Sequence, residues 1–190
     1  MSETRYIPSM NASREEEVKL DMGPIEAVMS LPPAPVFLLA VGKDEPNIAT
    51  IGMFNVFSVD PTVVGVGIKA SRHSYKLLEE TGDFTLNVPS KGMVEAVARC
   101  GFMSGSRMNK FSDVGLTPEP GKRVRSPSVA ECPLNMEVKI TEVQDRGGWD
   151  HIWIIGNVVH TDVVKDYDPS EVLIYWNGEF RTPSPVLKQL

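Results

Sequence analysis

The stretch NIATIGMFNVFSVDPTVVGVGIKASRHSYKLLEETGDFTLNVP, residues 47–89, decides the fold of this chain. Its first part predicts a strand over 48–57, a turn at Asp60-Pro61 and a second, buried strand over 63–68. The second strand contains Gly65 and Gly67, which indicate that backbone or a ligand approaches closely there.

A short basic loop, residues 69–74 (KASRHS), follows these strands. It leads into a predicted helix over 74–80, with Ser71 or Ser74 as its N-cap and Gly82 as its end. Helix N-termini expose N–H groups and a partial positive charge, which attract phosphate. A small-residue strand followed by such a loop therefore predicts a seat for a phosphorylated planar cofactor.

The remaining segments predict a mainly β chain. Within residues 134–143 polar and apolar residues alternate, so Glu137 and Lys139 are expected on one face of a strand with Asn135 and Thr141. Turn signals recur at the spacing of an all-β barrel, which predicts one closed β-barrel with short helices. The other predicted strands cover 36–42, 83–88, 152–161 and 172–176, and the other predicted helices cover 25–29 and 93–99.

Length and composition limit the possible functions. The 190 residues fit an N-terminal arm (1–22) and a single domain (23–190), and the 42% apolar content supplies a core. The net charge of −6 disfavours nucleic acid as a partner. The apolar run 36–41 is too short to span a membrane, and the N-terminus has no signal-peptide core. With only two cysteines, a cytoplasmic protein with reduced thiols is expected.

The basic loop and the first strand could hold a cofactor together. Arg72 can form a charge-assisted pair with phosphate, and Ser71 and Ser74 add hydroxyl donors; the alternative is an ordinary capped helix with a solvated arginine. The strand over 50–58 mixes Gly, Asn and Ser with apolar residues, and so offers polar backbone groups and apolar packing to a flavin ring. The alternative is a half-exposed strand with alternating polar positions.

Other reactive residue types give weaker signals. The three histidines show no metal-ligand spacing, and no HExxH, CxxC or GxSxG motif occurs, so no metal site is expected. His151 stands where a turn enters a strand, which makes a ligand contact at the mouth of the barrel plausible. Cys100 is either a reactive thiol or, as is more common for a free cysteine, a buried one.

Taken together, these segments resemble the flavin reductase-like, FMN-binding split-barrel family, and within it the flavoredoxin branch. The resemblance covers residues 24–180 and rests on the order and spacing of the motifs. The matching segments are Pro35-Val36, Asn47-Ile48-Ala49-Thr50, Ser58-Val59-Asp60-Pro61, Ser71-Arg72-His73-Ser74, Phe84-Thr85-Leu86-Asn87-Val88-Pro89, Cys100-Gly101 to Lys110-Phe111, Gly115-Leu116-Thr117, Ala130-Glu131-Cys132-Pro133-Leu134-Asn135 and Asp150-His151-Ile152 through Ile155-Gly156-Asn157-Val158.

The resemblance implies a homodimer of split β-barrels that bind FMN non-covalently near the dimer interface. NADH or NADPH would donate hydride to the flavin, a redox protein is a possible acceptor, and neither a membrane nor a catalytic acid or base is implied. The positions implied to bind the cofactor are Asn47, Thr50, Gly52, Met53, Phe54, Asn55, Ser58, Ser71, Arg72, His73, Ser74, Asn87, Lys110 and His151.

Several positions differ from the usual pattern of that family. Ser74 stands where Thr is common, Asn109 where Asp is typical, and Asn157 where Glu is usual. Val138 replaces a second cysteine of many relatives, so no thiol relay through Cys132 is expected. Phe54 is the expected aromatic neighbour of the flavin ring.

Three functions therefore remain open. The first is an NAD(P)H-dependent flavin reductase, an FMN-dependent oxidoreductase. The second is an FMN electron carrier without NAD(P)H activity of its own. The third is a scaffold that has lost flavin, which the retained Asn47, Arg72 and Lys110 disfavour.

Overall fold

A computed structural model describes residues 21–106 and 108–188 of the chain. These residues fall into two compact units, 21–31 and 32–188, and most of the predicted N-terminal arm lies outside them. The helices are α1 Pro24–Met29, α2 His73–Thr81, α3 Val94–Phe102 and α4 Lys110–Val114. The strands are β1 Ala34–Pro35, β2 Phe37–Val41, β3 Asn47–Ile51, β4 Phe54–Ser58, β5 Val63–Ile68, β6 Asp83–Val88, β7 Pro118–Glu119, β8 Ser128–Val129, β9 Leu134–Gln144, β10 Ile152–Val163, β11 Ile174–Trp176 and β12 Glu179–Arg181.

The largest sheet of the described chain has seven antiparallel strands in the order β3-β2-β6-β9-β10-β5-β4. Its two edge strands, β3 and β4, are separated in sequence only by Gly52 and Met53. The sheet must therefore curl until its edges meet. The Gly67 N–H donates to the Met53 carbonyl (2.9 Å), which continues the pairing of β4 with β5 up to this junction. This mainly β barrel with short helices confirms the predicted fold class.

The single strand predicted over 48–57 is wrong, because the chain changes partner within it. Ile51 pairs with Phe37 of β2, whereas Phe54 pairs with Val66 of β5. The break falls at Gly52, which the sequence pattern alone placed inside a strand. The two halves consequently lie on opposite edges of the sheet.

The buried strand β2 separates two groups of core residues in the described chain. Phe37, Leu39 and Val41 point into the barrel, whereas Leu38 and Ala40 pack with α3 and α4 on the outside. Because successive strand residues face opposite sides, a strand covered on both sides is apolar throughout unless its polar side chains find buried partners. This explains the continuous apolar run of the sequence.

The outer face of β6 is polar yet buried. The Thr85 hydroxyl donates to the Pro127 carbonyl (2.7 Å), and the Asn87 amide donates to the Leu38 carbonyl (2.7 Å). The Asn87 Oδ1 in turn accepts from the Val129 N–H (3.0 Å). These bonds hold the segment before and including β8 against the barrel, and buried polar groups need such partners.

The helix after the basic loop lies close to its predicted place. It ends at Gly82, whose positive φ of 71° suits glycine. Its N-cap is Arg72, in extended conformation and without a side-chain cap, so the predicted capping by Ser71 or Ser74 is wrong. Among the described residues, no helix is long and apolar enough to cross a membrane.

Candidate functional site

A cleft of about 510 Å³ opens where the β3–β4 junction meets the basic loop. The end of β5, the segment after α3 and the strand β11 complete its walls. It is lined by Asn47, Ala49, Thr50, Ile51, Gly52, Met53, Gly67, Ile68, Lys69, Ser71, Arg72, His73, Ser74, Cys100, Gly101, Met103, Ser104, Gly105, Lys110, His151, Tyr175 and Trp176.

The N-terminus of α2 forms the cationic end of this cleft. The loop turns tightly before the helix, because the Arg72 N–H donates to the Lys69 carbonyl (2.9 Å). No side chain of the described residues caps the helix, so its first N–H groups are left without intrahelical partners. With Arg72 exposed beside them, these groups suit an anion.

Asn47 connects that helix to the strand β3 and leaves one acceptor unused. Its side chain is 4% exposed, and its Nδ2 donates to the Ser74 Oγ (2.7 Å). Its Oδ1 is buried without a hydrogen-bond partner. An unpaired buried acceptor is unfavourable, so a donor from a ligand in the cleft would stabilise it.

Lys110 is buried under the cleft floor at the start of α4. Its Nζ donates to the Ile48 carbonyl (2.9 Å) and the Cys100 carbonyl (2.7 Å), which joins β3 to α3. Since an ammonium has three donors, one is left for a ligand. Burial is the main cause that lowers the pKa of Lys110, and the charge of Arg72 acts in the same direction.

Thr50 supports the same wall. Its hydroxyl donates to the Val97 carbonyl of α3 (2.6 Å). A Cβ placed on Gly101 would lie 3.4 Å from the Cβ of Thr50, so the helix packs closely on the strand. The strand face that lines the cleft is thereby fixed by α3.

His151 stands on the rim, just before β10. Its Nδ1 is buried and lacks a well-oriented hydrogen bond, although the Asp150 Oδ1 lies 2.9 Å away. Asp150 also pairs with Lys69 (3.4 Å), and His151 and then Lys69 lower the pKa of this exposed carboxyl group. A Cβ on Gly67 would lie 3.0 Å from the Met53 Cβ, which is closer than usual, so these segments approach each other tightly.

The structure brings most of the predicted site residues together in the cleft. These are Asn47, Thr50, Gly52, Met53, Ser71, Arg72, His73, Ser74, Lys110 and His151.

Phe54, Asn55, Ser58 and Asn87 do not line the cleft. Phe54 packs on Phe37 with ring centroids 4.4 Å apart. Asn55 is exposed and Ser58 half-buried on the edge strand β4, and Asn87 is used entirely inside the protein. The strand break at Gly52 explains the first three, because it directs β4 to the other edge of the sheet.

Several cleft residues are absent from the sequence-based prediction. The Gly67 position carried a signal of close approach, whereas the C-terminal Tyr175 and Trp176 carried none. Cys100 and the segment 103–105 lie in a region without usable periodicity. Only the tertiary fold brings these residues to the cleft.

A second group of ligand-type side chains lies outside the cleft. The reactive atoms of Glu137, His160 and Asp162 lie within 4.8 Å of one another. The Glu137 carboxylate already accepts three backbone N–H groups, and Asp162 pairs with Lys122 (2.6 Å). These groups therefore have protein partners.

The model of the flavin reductase like domain matches residues 29–184, most of the chain. The chain belongs to this family. This confirms the resemblance that the sequence motifs indicated. An uncharacterised protein of Archaeoglobus fulgidus is 32% identical over 140 residues, which cover 72% of this chain and 78% of that protein.

Solved structures show the same split-barrel fold. Flavoredoxin of Desulfovibrio vulgaris (Miyazaki F) superposes with a TM-score of 0.77 at 24% identity, covering 84% of this chain and 91% of that one. An FMN-binding protein from Thermus thermophilus superposes with a TM-score of 0.80 at 20% identity, covering 91% and 99%. The flavin reductase-like chain therefore has the fold of these proteins.

Proposed function

We propose that this flavin reductase-like protein binds FMN and reduces it with NADH or NADPH. The observation that carries the proposal is one cleft that combines an uncapped helix N-terminus with an unpartnered buried acceptor, Asn47 Oδ1. Its volume of about 510 Å³ lies within the range of roughly 300–1,000 Å³ usual for ligand pockets. The family membership and the name of the Thermus protein support the choice of flavin and of FMN.

The phosphate would be held at the N-terminus of α2. Arg72 adds a forked, charge-assisted donor pair, and Ser71 adds a hydroxyl group. The hydroxyl of Ser74 already accepts from Asn47 and can donate its own proton. This is the part of the site that distinguishes FMN from riboflavin.

The polar edge of the ring would be held by the residues of β3 and α4. Asn47 Oδ1 accepts a ring or ribityl donor, and the free donor of Lys110 pairs with an acceptor. His151 completes the rim. These groups therefore match the alternating donors and acceptors of a flavin.

Bound flavin would supply the redox chemistry by accepting hydride from the nicotinamide donor. The residues of the chain bind and orient the ring and limit access of water to it. No acid or base of the cleft is assigned to proton transfer.

We also propose that the protein is a homodimer. The exposed apolar side chains of the edge strand β4 support this. Val56 and Phe57 are 49% and 48% exposed, and Val59 just after the strand is 81% exposed. An exposed apolar edge strand favours pairing with another chain.

A second candidate is an FMN carrier without NAD(P)H activity, which the structural similarity to flavoredoxin favours. The two are separated by anaerobic addition of NADH or NADPH to the purified yellow protein. Loss of the flavin absorption near ~450 nm supports the reductase. Protein that stays oxidised with both donors contradicts the reductase and supports the carrier.

The phosphate seat is tested with Arg72→Ala. Affinity for FMN should fall by about 1.5–3 kcal/mol, as expected for a hydrogen bond to a charged group, whereas riboflavin affinity should change little. Lys76→Ala is the matched control, because this exposed lysine of α2 does not line the cleft. Equal losses for FMN and riboflavin in Arg72→Ala would contradict the assignment.

A further inference from the structure

The strand β11 brings two aromatic side chains, Tyr175 and Trp176, to the cleft. Among the described lining residues, only these two are Phe, Tyr or Trp. Both are half-buried. Two large rings left partly open at a polar cleft indicate a surface for a planar apolar group.

Tyr175 is held firmly in this position. Its ring packs on Phe180 of β12 with centroids 4.7 Å apart and an angle of 45°. Its hydroxyl accepts from the Gly178 N–H (3.3 Å) in the turn between the two strands. A fixed ring loses little conformational entropy when a ligand contacts it, which favours binding.

The space beside Tyr175 depends on Gly52 at the β3–β4 junction. A Cβ on Gly52 would lie 3.9 Å from the Tyr175 Cδ1. The small residue therefore leaves the Tyr175 ring accessible from the side of the barrel junction. The strand break that displaces Phe54 from the site thus creates room next to a different aromatic residue.

We infer that Tyr175 and Trp176 form the ring-binding wall of the cleft and contact the face of the ligand's planar, conjugated ring. This rests on the proposed function, in which that ring is the isoalloxazine of FMN. The wall takes the role that the sequence assigned to Phe54. The wall contacts the ring and not the phosphate, so it should contribute equally to the binding of FMN and of riboflavin.

The test is Trp176→Leu, with FMN and riboflavin as separate probes in titrations of flavin-free, full-length protein. The Kd for both flavins should rise about tenfold, the loss expected for an aromatic contact. The ratio of the two Kd values should stay at the wild-type value, whereas Arg72→Ala changes that ratio. Trp176→Phe, which keeps an aromatic face, should bind both flavins within about threefold of wild type.

Glu179→Gln is the matched control on the hairpin. Glu179 pairs with Trp176 across β11 and β12 but is exposed and does not line the cleft, so this change should alter both Kd values less than about twofold. Unchanged flavin binding by Trp176→Leu would overturn the ring-binding wall, and so would equal losses in Trp176→Leu and Glu179→Gln. Wild-type protein that binds neither flavin would overturn the proposed function and the wall together, so the two failures are distinguishable.

Discussion

At the scale of single residues, Cys100 shows how burial controls reactivity at the cleft. Its thiol lines the cleft, and burial raises its pKa to about 11, with Lys110 and Arg99 opposing the shift. Since an ordinary cysteine has a pKa of about 8.5 and only the thiolate is a nucleophile, alkylation of Cys100 at pH 8 should be at least about 100-fold slower than that of a free thiol.

Iodoacetamide labelling followed by peptide mass spectrometry measures this rate separately from Cys132. The rate at Cys100 should keep rising up to about pH 11, whereas that of glutathione levels off above its own pKa. Labelling of Cys100 at pH 8 as fast as glutathione would show that the thiol is accessible and ionised.

At the scale of elements, buried carboxylates of two neighbouring strands fix the loop that precedes β8. Glu137 of β9 accepts from the N–H groups of Lys122 (2.7 Å), Arg123 (2.6 Å) and Val124 (3.1 Å). Asp83 of β6 accepts from the N–H of Ser126 (3.0 Å). The loop has little regular structure of its own, so these bonds determine its path.

Glu137→Gln should therefore destabilise the protein by about 2–3 kcal/mol, because it replaces one of the two accepting oxygens with an NH2 group that faces a backbone N–H. Urea denaturation measures the loss. Glu142→Gln, on an exposed position of the same strand, should stay within about 0.5 kcal/mol of wild type. Equal stability of both variants would mean that the buried carboxylate does not hold the loop.

The same strand shows what the sequence could predict. Alternation correctly indicated a strand, and Glu137 and Lys139 do share a face. Their burial differs, however, because the loop covers Glu137 and leaves Lys139 exposed. Local periodicity reports which face a side chain occupies, but what covers that face depends on residues far away in the chain.

The candidate site likewise contains some residues that a local pattern predicts and others that only the tertiary fold brings together. Arg72 and Ser74 follow from a local motif, a basic loop at a helix start. Tyr175 comes from the other end of the sequence, so no local pattern could place it beside Gly52. Phe54 lies outside the cleft, which the sequence could not indicate because a strand break within an apolar stretch has no signal stronger than one glycine.

At the scale of the whole molecule, β4 is an apolar edge strand of the seven-stranded sheet, because no ladder pairs it with β3 in the described chain. The dimer proposal is tested there. Val56→Asp combined with Val59→Asp should convert a dimer into a monomer, because the exposed apolar positions would become charged within the interface. Light scattering after size exclusion should give twice the chain mass of 20.9 kDa for wild type and the single chain mass for the variant.

Val164→Asp is the control for this experiment. Val164 is also exposed (51%). It follows the C-terminal end of β10, where Val163 pairs with Leu134, whereas β5 pairs with the N-terminal half of β10. This variant should stay dimeric. A monomeric wild-type protein would contradict the dimer, and a dimeric double variant would place the interface elsewhere. A monomer that still binds FMN tightly would show that each cleft is complete within one chain.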